Sequence, residues 1–389
     1  MKIILKFQAL GIFLAFLLLC SLAVADSVEP QLPADVTINE DAGRGNLLFV
    51  TLRLESGEAL PFFVDTGSTF TSFDKSLEPK LGKQLGGAKL TSWGVTKKSA
   101  GYAAPKLYFG NTQLMTGNRV YIGDFKQLSA QTCRPVMGIL GMDCLRHYCI
   151  QLDFEAEKMR FLDPEHIDVS QLGKAFPLTF RQGCPFIHVS SLVGEEGTNL
   201  LVDAGYRSDG ALESGLFQRE VQRLQSKGKA INGQHAGRMW FSQCAWNGEN
   251  YTNLLIGDGG TSFSKGQREN EIGLRFLARH LVTFDFPKQT MYLKQTGVGP
   301  LVDEKMRSAE EFLNDLKKKK QLPGWSTNDD GTIYLEPYPD FEAFDGRKNG
   351  DSSIYHYQVS KTSNDSSWKL QKAWRTDQND KKIEEFPVP

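Results

Sequence analysis

Three blocks of this 389-residue sequence occur twice, in the same order. The longest consists of Gly141-Met-Asp-Cys-Leu145, Cys149-Ile-Gln-Leu-Asp153-Phe154 and Met159-Arg-Phe-Leu162. It returns at one constant offset, without a gap, as Gly273-Leu-Arg-Phe-Leu277, Leu281-Val-Thr-Phe-Asp285-Phe286 and Met291-Tyr-Leu-Lys294. Upstream, Ile122-Gly123-Asp124 returns at a slightly larger offset as Ile256-Gly257-Asp258. Further upstream, Phe63-Val64-Asp65-Thr66-Gly67 returns, at an offset larger again, as Leu201-Val202-Asp203-Ala204-Gly205. A chance tripeptide does not keep company and order in this way. The pattern is that of a duplicated lobe of about 130 residues.

Within each copy the apolar stretches are short, alternate with polar residues and end at Gly or Asn-Gly turns. Leu47 to Leu54, Pro61 to Val64, Lys106 to Phe109, Arg119 to Ile122, Cys149 to Phe154 and Met159 to Leu162 all read as strands. A mostly β chain follows, with a first lobe over 41–170 and a second over 171–298. With 40% hydrophobic and 11% aromatic residues the chain can fill two or three cores.

The chemistry lies in the upstream block. A hydrophobic strand that ends in Asp-Thr-Gly puts a carboxylate on a tight turn, where Gly permits close backbone approach and the neighbouring hydroxyl can reach a partner loop. The triplet alone also serves ordinary turns. Here each Asp loop is followed, at a similar distance in both halves, by a hydrophobic-Gly element, a short helical stretch and a strand pair.

In this arrangement the sequence resembles the pepsin and retropepsin superfamily of aspartic peptidases. Ile139-Leu140-Gly141 matches the family's apolar-apolar-Gly element, and Glu271-Ile272-Gly273 matches it with Glu271 at one apolar position. The resemblance spans about Asn46 to Lys294. It implies a two-lobed, pepsin-like acid-protease β-barrel fold in which Asp65 and Asp203 face each other and hold a water, supported by Thr66, Gly67, Ser68 and Gly205. Two carboxylates that close cannot both ionise, so one carries a proton; aspartic proteases are themselves the standard example of this effect. The resemblance also implies a flap hairpin between about Gly86 and Tyr108, with Trp93 or Tyr102 bordering a peptide or protein substrate. No metal or organic cofactor is implied. Both half-sites sit on one chain, so a monomer suffices.

The second loop departs from the family. Ala204 lacks the hydroxyl that normally helps interlock the loops, and Tyr206 replaces a group that often bonds a catalytic carboxylate. A catalytically impaired pepsin-fold binding protein is therefore the competing reading, and a processing enzyme of very narrow target a third. Asp153 and Asp285, which also recur, are expected to bond local backbone or a surface Lys. His147, His188, His235 and His280 lie near no GxSxG-type nucleophile and read as structural. Gly257-Asp258-Gly259-Gly260 lacks the following Lys-Ser/Thr of a phosphate cradle.

The remaining features set the surroundings. Forty-five basic against 46 acidic residues leave a formal net charge of −1, giving no chain-wide reason to bind nucleic acid or an anionic membrane. Lys2, Lys6, an apolar run from Ala9 to Leu19 and Ala23-Val24-Ala25 read as a signal peptide over 1–25, followed by a linker or lead-in strand over 26–40. Leu19 stands before Cys20 where a lipobox has a small residue, so a secreted or periplasmic chain without membrane insertion is expected. Cys133, Cys144, Cys149, Cys184 and Cys244 then permit up to two disulfides and one free thiol, and their spacing is not that of a zinc site. Asn250 and Asn364 stand in glycosylation sequons. The tail over 299–389 reads as a small α+β domain similar to cystatin-like or NTF2-like modules. Its helix is expected over Ser308 to Lys320, its strands near Ile333 to Glu336, Ile354 to Ser360 and Trp368 to Arg375, and its core at Trp368 and Trp374.

Overall fold

The computed structural model describes residues 32–92, 95–132, 134–190, 197–225, 230–235, 238–259, 270–301, 304–324, 336–337, 343–346, 353–362, 365–377 and 381–388. The expected signal peptide, Trp93, Cys133, Gly260, Asn364 and the start of the strand near Ile333 lie outside them, as does the side chain of His235.

Both copies of the long repeat meet in one six-stranded sheet. Its strands run in the order Val36–Thr37, Lys158–Leu162, Cys149–Asp153, His280–Asp285, Thr290–Gln295 and Lys174–Pro177. The two central strands are repeat equivalents and pair antiparallel, with Gln151 opposite Thr283. These two residues stand 132 positions apart, which is the offset of the long repeat, so an approximate twofold axis passes between them. The Gln151 amide donates to the Thr283 hydroxyl at 3.0 Å across that axis.

On either side of this sheet each half builds the same β topology. In the first half, Gly138–Leu140 lies between Ala59–Val64, to which it is parallel, and Ser72–Asp74, to which it is antiparallel. In the second, Glu271–Gly273 lies in the same way between Gly197–Asp203 and Gly210–Leu212. Ser72–Asp74 and Gly210–Leu212 each continue the sheet by a parallel pairing, with Arg119–Gly123 and Glu249–Asp258. Nine strands form the first sheet and eight the second, and one hydrophobic core runs from Ile38 to Leu293 through both. This is a mostly β fold in which two halves repeat one strand topology.

Residues beyond 303 add a helix, Glu304–Lys318, and a five-stranded antiparallel sheet with a separate core. Ala309 and Leu313 of the helix pack on Tyr355, Tyr357, Val359, Trp368 and Leu370. The Trp368 indole N–H donates to Ser308 at 2.9 Å. Trp374 is only half-buried and stacks on His356 instead of entering that core. No helix among the described residues is long and apolar enough to cross a membrane.

The cysteines require a correction. Cys144, Cys149 and Cys184 are buried free thiols, so none of the expected disulfides forms among these three. They sit on separate elements and serve as small apolar groups in the core. Burial pushes the Cys149 thiol up to about 12 and the Cys184 thiol up to about 11.

Candidate active site

Asp65 and Asp203 end equivalent strands, and the chain must then turn around the end of the strand packed between. In the first half the Asp65 N–H donates to Leu140 at 3.1 Å, and the N–H groups of Met142 and Asp143 return to Ser68 and Thr69 at 2.8 and 3.1 Å. The second half repeats this, with Leu274 donating to Tyr206 at 2.7 Å. Only glycine fits at the crossing. A Cβ on Gly141 would lie 2.6 Å from the Phe70 carbonyl carbon, and one on Gly273 would lie 2.2 Å from the Ser208 oxygen. The recurring hydrophobic-Gly signal is this steric requirement.

The two loops meet tip to tip. A Cβ on Gly67 would lie 2.6 Å from the carboxyl carbon of Asp203, and one on Gly205 would lie 2.5 Å from that of Asp65. Each glycine also donates its N–H, at 2.8 Å, to the carboxylate two residues before it. Both carboxyl groups are thus half-buried in backbone, hydrogen-bonded to one another, and close enough to repel when charged. Burial, the negative charge of Asp203 and the bond between the two carboxyls hold Asp65 well above the usual carboxylate range. The N–H groups of Gly67 and Ser68 pull against that shift without cancelling it.

The supporting residues divide. The Thr66 hydroxyl donates to the Val202 carbonyl at 2.6 Å and accepts the Ala204 N–H at 2.9 Å, so one side chain ties both loops. Ser68 contributes through its backbone, because its hydroxyl turns to the Phe70 carbonyl at 3.1 Å. The Tyr206 ring lies against Gly273, and a Cβ on Gly257 would meet its hydroxyl at 2.9 Å. Two glycines thereby make room for a side chain far larger than its Ser68 counterpart.

Tyr102 does not border the site. It is buried in the core of the first half, and its hydroxyl donates to Glu78. The hairpin expected to hold it at the tip consists of Gln84–Ser92 and Val95–Ala103, which places Tyr102 near the base. Trp93 lies outside the described residues. Tyr121, buried on Arg119–Gly123, pairs with Gly101 and meets Phe70 edge-on at 5.1 Å.

Sequence reasoning missed three contacts. The Cys184 thiol, carried by the second lobe, donates to the Gly67 carbonyl at 3.2 Å and feels the charge of both Asp65 and Asp203. Beside it the Thr69 hydroxyl donates to Gln182 at 2.8 Å. Behind the second loop, fully buried Asp209 accepts from Arg279 at 2.8 and 3.1 Å and from Arg275 at 2.6 Å. The equivalent contact in the first half joins Thr71, the counterpart of Asp209, to Asp143, whose carboxylate accepts the N–H and hydroxyl of Thr71, both at 2.7 Å. The repeat carried a signal for this, since Asp143 and Arg275 occupy matching positions with opposite charge.

The other recurring groups are structural. Asp153 accepts the Ala156 N–H and pairs with Arg160 at 2.8 Å, an arginine in place of the expected lysine. Asp285 accepts the Lys288 N–H. His280 is buried between Tyr251 and the Phe276 carbonyl, which leaves it no reactive partner. Glu271, at the apolar position, is buried on the strand next to Asp203.

No family model and no curated protein matches the sequence. Among solved structures the chain is similar to basic 7S globulin from soybean, at 13% identity and a TM-score of 0.48 over 69% of this chain and 95% of that one. It is also similar to an aspartic proteinase from Irpex lacteus, at 14% identity and a TM-score of 0.47 over 68% and 98%. Conglutin gamma, a basic 7S globulin from lupine seeds, matches at 14% identity and a TM-score of 0.47 over 69% and 96%.

Proposed function

We propose that this protein is an aspartic endopeptidase with Asp65 and Asp203 as its catalytic pair. The observation that carries the proposal is the reciprocal packing of Gly67 on Asp203 and of Gly205 on Asp65. It brings two carboxyls into hydrogen-bond contact in a place with room for one negative charge. Asp65, with its raised pKa, holds the shared proton, and Asp203 is the base.

The reaction needs only water and a peptide. Asp203 takes a proton from a water whose oxygen attacks the peptide carbonyl carbon, while Asp65 gives its proton to the carbonyl oxygen. The resulting diol collapses as Asp203 passes its proton to the amide nitrogen and Asp65 recovers one from a diol hydroxyl. The C–N bond breaks, giving an acid and an amine, and the pair returns to its singly protonated state.

The test is cleavage of a diverse peptide library by the purified protein from acidic to neutral pH. Asp65→Asn and Asp203→Asn should each lower kcat/KM by at least about 10²- to 10⁴-fold, the range for a positioned acid or base. A second reading, a peptide-binding protein on the same fold, is favoured by Ala204, which leaves the loops joined through Thr66 alone on this contact. Folded protein that cleaves nothing at any pH selects that reading.

A further inference from the structure

The hairpin beside the site is built without acids. Between Glu78 and Asp124 the sequence contains no Asp or Glu, but it has Lys80, Lys83, Lys89, Lys97, Lys98, Lys106 and Arg119. Two of these cations are neutralised, Lys80 by Glu58 and Lys106 by Glu55, each at 2.6 Å. Lys83, Lys89, Lys97, Lys98 and Arg119 form no ion pair among the described residues, in a chain whose formal net charge is −1. Lys89 and Lys98 face each other directly across the ladder. Like charges so placed weaken a hairpin. Stability of the hairpin therefore does not account for them.

Their placement relates them to the site. Val95–Ala103 pairs with Arg119–Gly123, which pairs with Ser72–Asp74, the strand leaving the Asp65 loop. Gly101 and Tyr121 share a face of this sheet, and Tyr121 touches Phe70, which follows closely after Asp65 in the chain. Side chains alternate along a strand, so Lys97 and its cross-strand partner Leu90 continue the Gly101 face toward the tip. Lys89 and Lys98 lie on the opposite face and are exposed. The second half has the same bias in sequence: between Glu213 and Glu249 the single acid Glu220 stands against Arg219, Arg223, Lys227, Lys229 and Arg238.

We infer that the polypeptide taken up at Asp65 and Asp203 is acidic, with Asp or Glu side chains held by Lys97 and drawn in by Lys83, Lys89 and Lys98. This rests on the peptide-cleft reading given above. An extended peptide laid beside the hairpin presents every second side chain to it, which matches carboxylates at alternate positions to the Leu90 and Lys97 face. The uncompensated charge raises the local concentration of an anionic segment and its association rate, and added salt screens both effects.

The experiment pairs binding with cleavage, using fluorescent acidic peptides and matched peptides with Asn and Gln in place of Asp and Glu. Binding is measured on Asp203→Asn protein, and cleavage on the unmodified protein. Acidic peptides should be preferred by about tenfold or more at low salt, a margin that shrinks toward unity at high salt. The Lys89→Gln, Lys97→Gln, Lys98→Gln variant, shown folded by circular dichroism and Tm, should lose that ratio.

Equal binding and equal cleavage of both peptide sets overturns the inference and leaves the peptidase reading standing. Preferred binding of acidic peptides that are never cleaved supports the inference and removes the peptidase reading. A preference that survives the triple variant overturns the assignment to this hairpin. Tighter binding to phosphatidylserine vesicles or single-stranded oligonucleotides than to acidic peptides overturns the choice of a polypeptide ligand.

Discussion

Thr66 takes the N–H of Ala204 on its hydroxyl oxygen at 2.9 Å, and Ala204 has no hydroxyl with which to answer. The two loops are otherwise near-symmetric, so the missing group is a local asymmetry that mutation can examine. Thr66→Val removes the donor to Val202 and the acceptor for Ala204, leaving two buried backbone groups unpaired, at a cost of about 1–3 kcal/mol. Ala204→Ser supplies a hydroxyl at the position matching Thr66 and should stabilise by about 1 kcal/mol. Thermal unfolding of both variants checks this: the first lowers Tm, and the second raises Tm together with kcat/KM.

The dyad couples folding to protons. Asp65 keeps its proton in the native state to a pH where the unfolded chain, titrating near about pH 4, has lost it. The stability from this group is therefore complete at low pH and declines as pH rises through the raised native pKa. Asp65→Asn removes the linkage and lets an amide donate to the Asp203 carboxylate. The variant should be inactive yet more stable at neutral pH by about 1 kcal/mol, a common size for relief of a strained functional group. Denaturant titrations should find that the advantage fades below about pH 4. An advantage constant with pH would locate the linkage elsewhere.

Gly67 and Gly205 leave no space for a methyl group, since a Cβ on either would fall within 2.6 Å of the facing carboxyl carbon. Gly205→Ala must push the Asp65 carboxyl out of line or part the loops. An activity loss of at least about 10²-fold is expected, the scale for a displacement near about 1 Å. The stability cost should stay near about 1–3 kcal/mol, as for other overpacked sites. Activity assays beside Tm measurements separate the two effects, and retained activity would mean that the carboxyls do not act as a close pair.

Burial holds the thiols of Cys149 and Cys184 near about 12 and 11, so thiolate is scarce at neutral pH. Cys144, Cys149 and Cys184 should resist a thiol reagent in native protein and react rapidly once the chain is unfolded in denaturant. Fast native labelling at Cys184, detected by peptide mass, would mean that the contact with Gly67 opens in solution.

Much of the architecture was legible because duplication writes the same steric solution twice. The Gly141 and Gly273 spacing, the Asp65 and Asp203 loops and the strand pairs of the central sheet all recur, and recurrence separates a constraint from an accident. Even the axis was implicit, since the constant offset of the long repeat joins Gln151 to Thr283. Tyr102 illustrates the limit. An aromatic in a hairpin reads alike at tip or base, and only the pairing with Val120 and the bond to Glu78 sent it into the core. The cysteines illustrate another: composition permits disulfides, but pairing depends on distances that chain order does not encode.

What the sequence determined by itself was therefore the local and the repeated: strands, tight turns, the positions where only glycine fits, and the two carboxylates. Tertiary structure alone decided which groups from distant segments converge on them. Cys184 reaches Gly67 across 117 positions, and Arg275 and Arg279 close on Asp209 from the far end of the second half. Such contacts arise from the way one lobe seats against another and one strand threads between two. Strand periodicity has a range of a few residues, and the meeting of two loops so far apart in the chain is fixed only when the whole sheet closes around them.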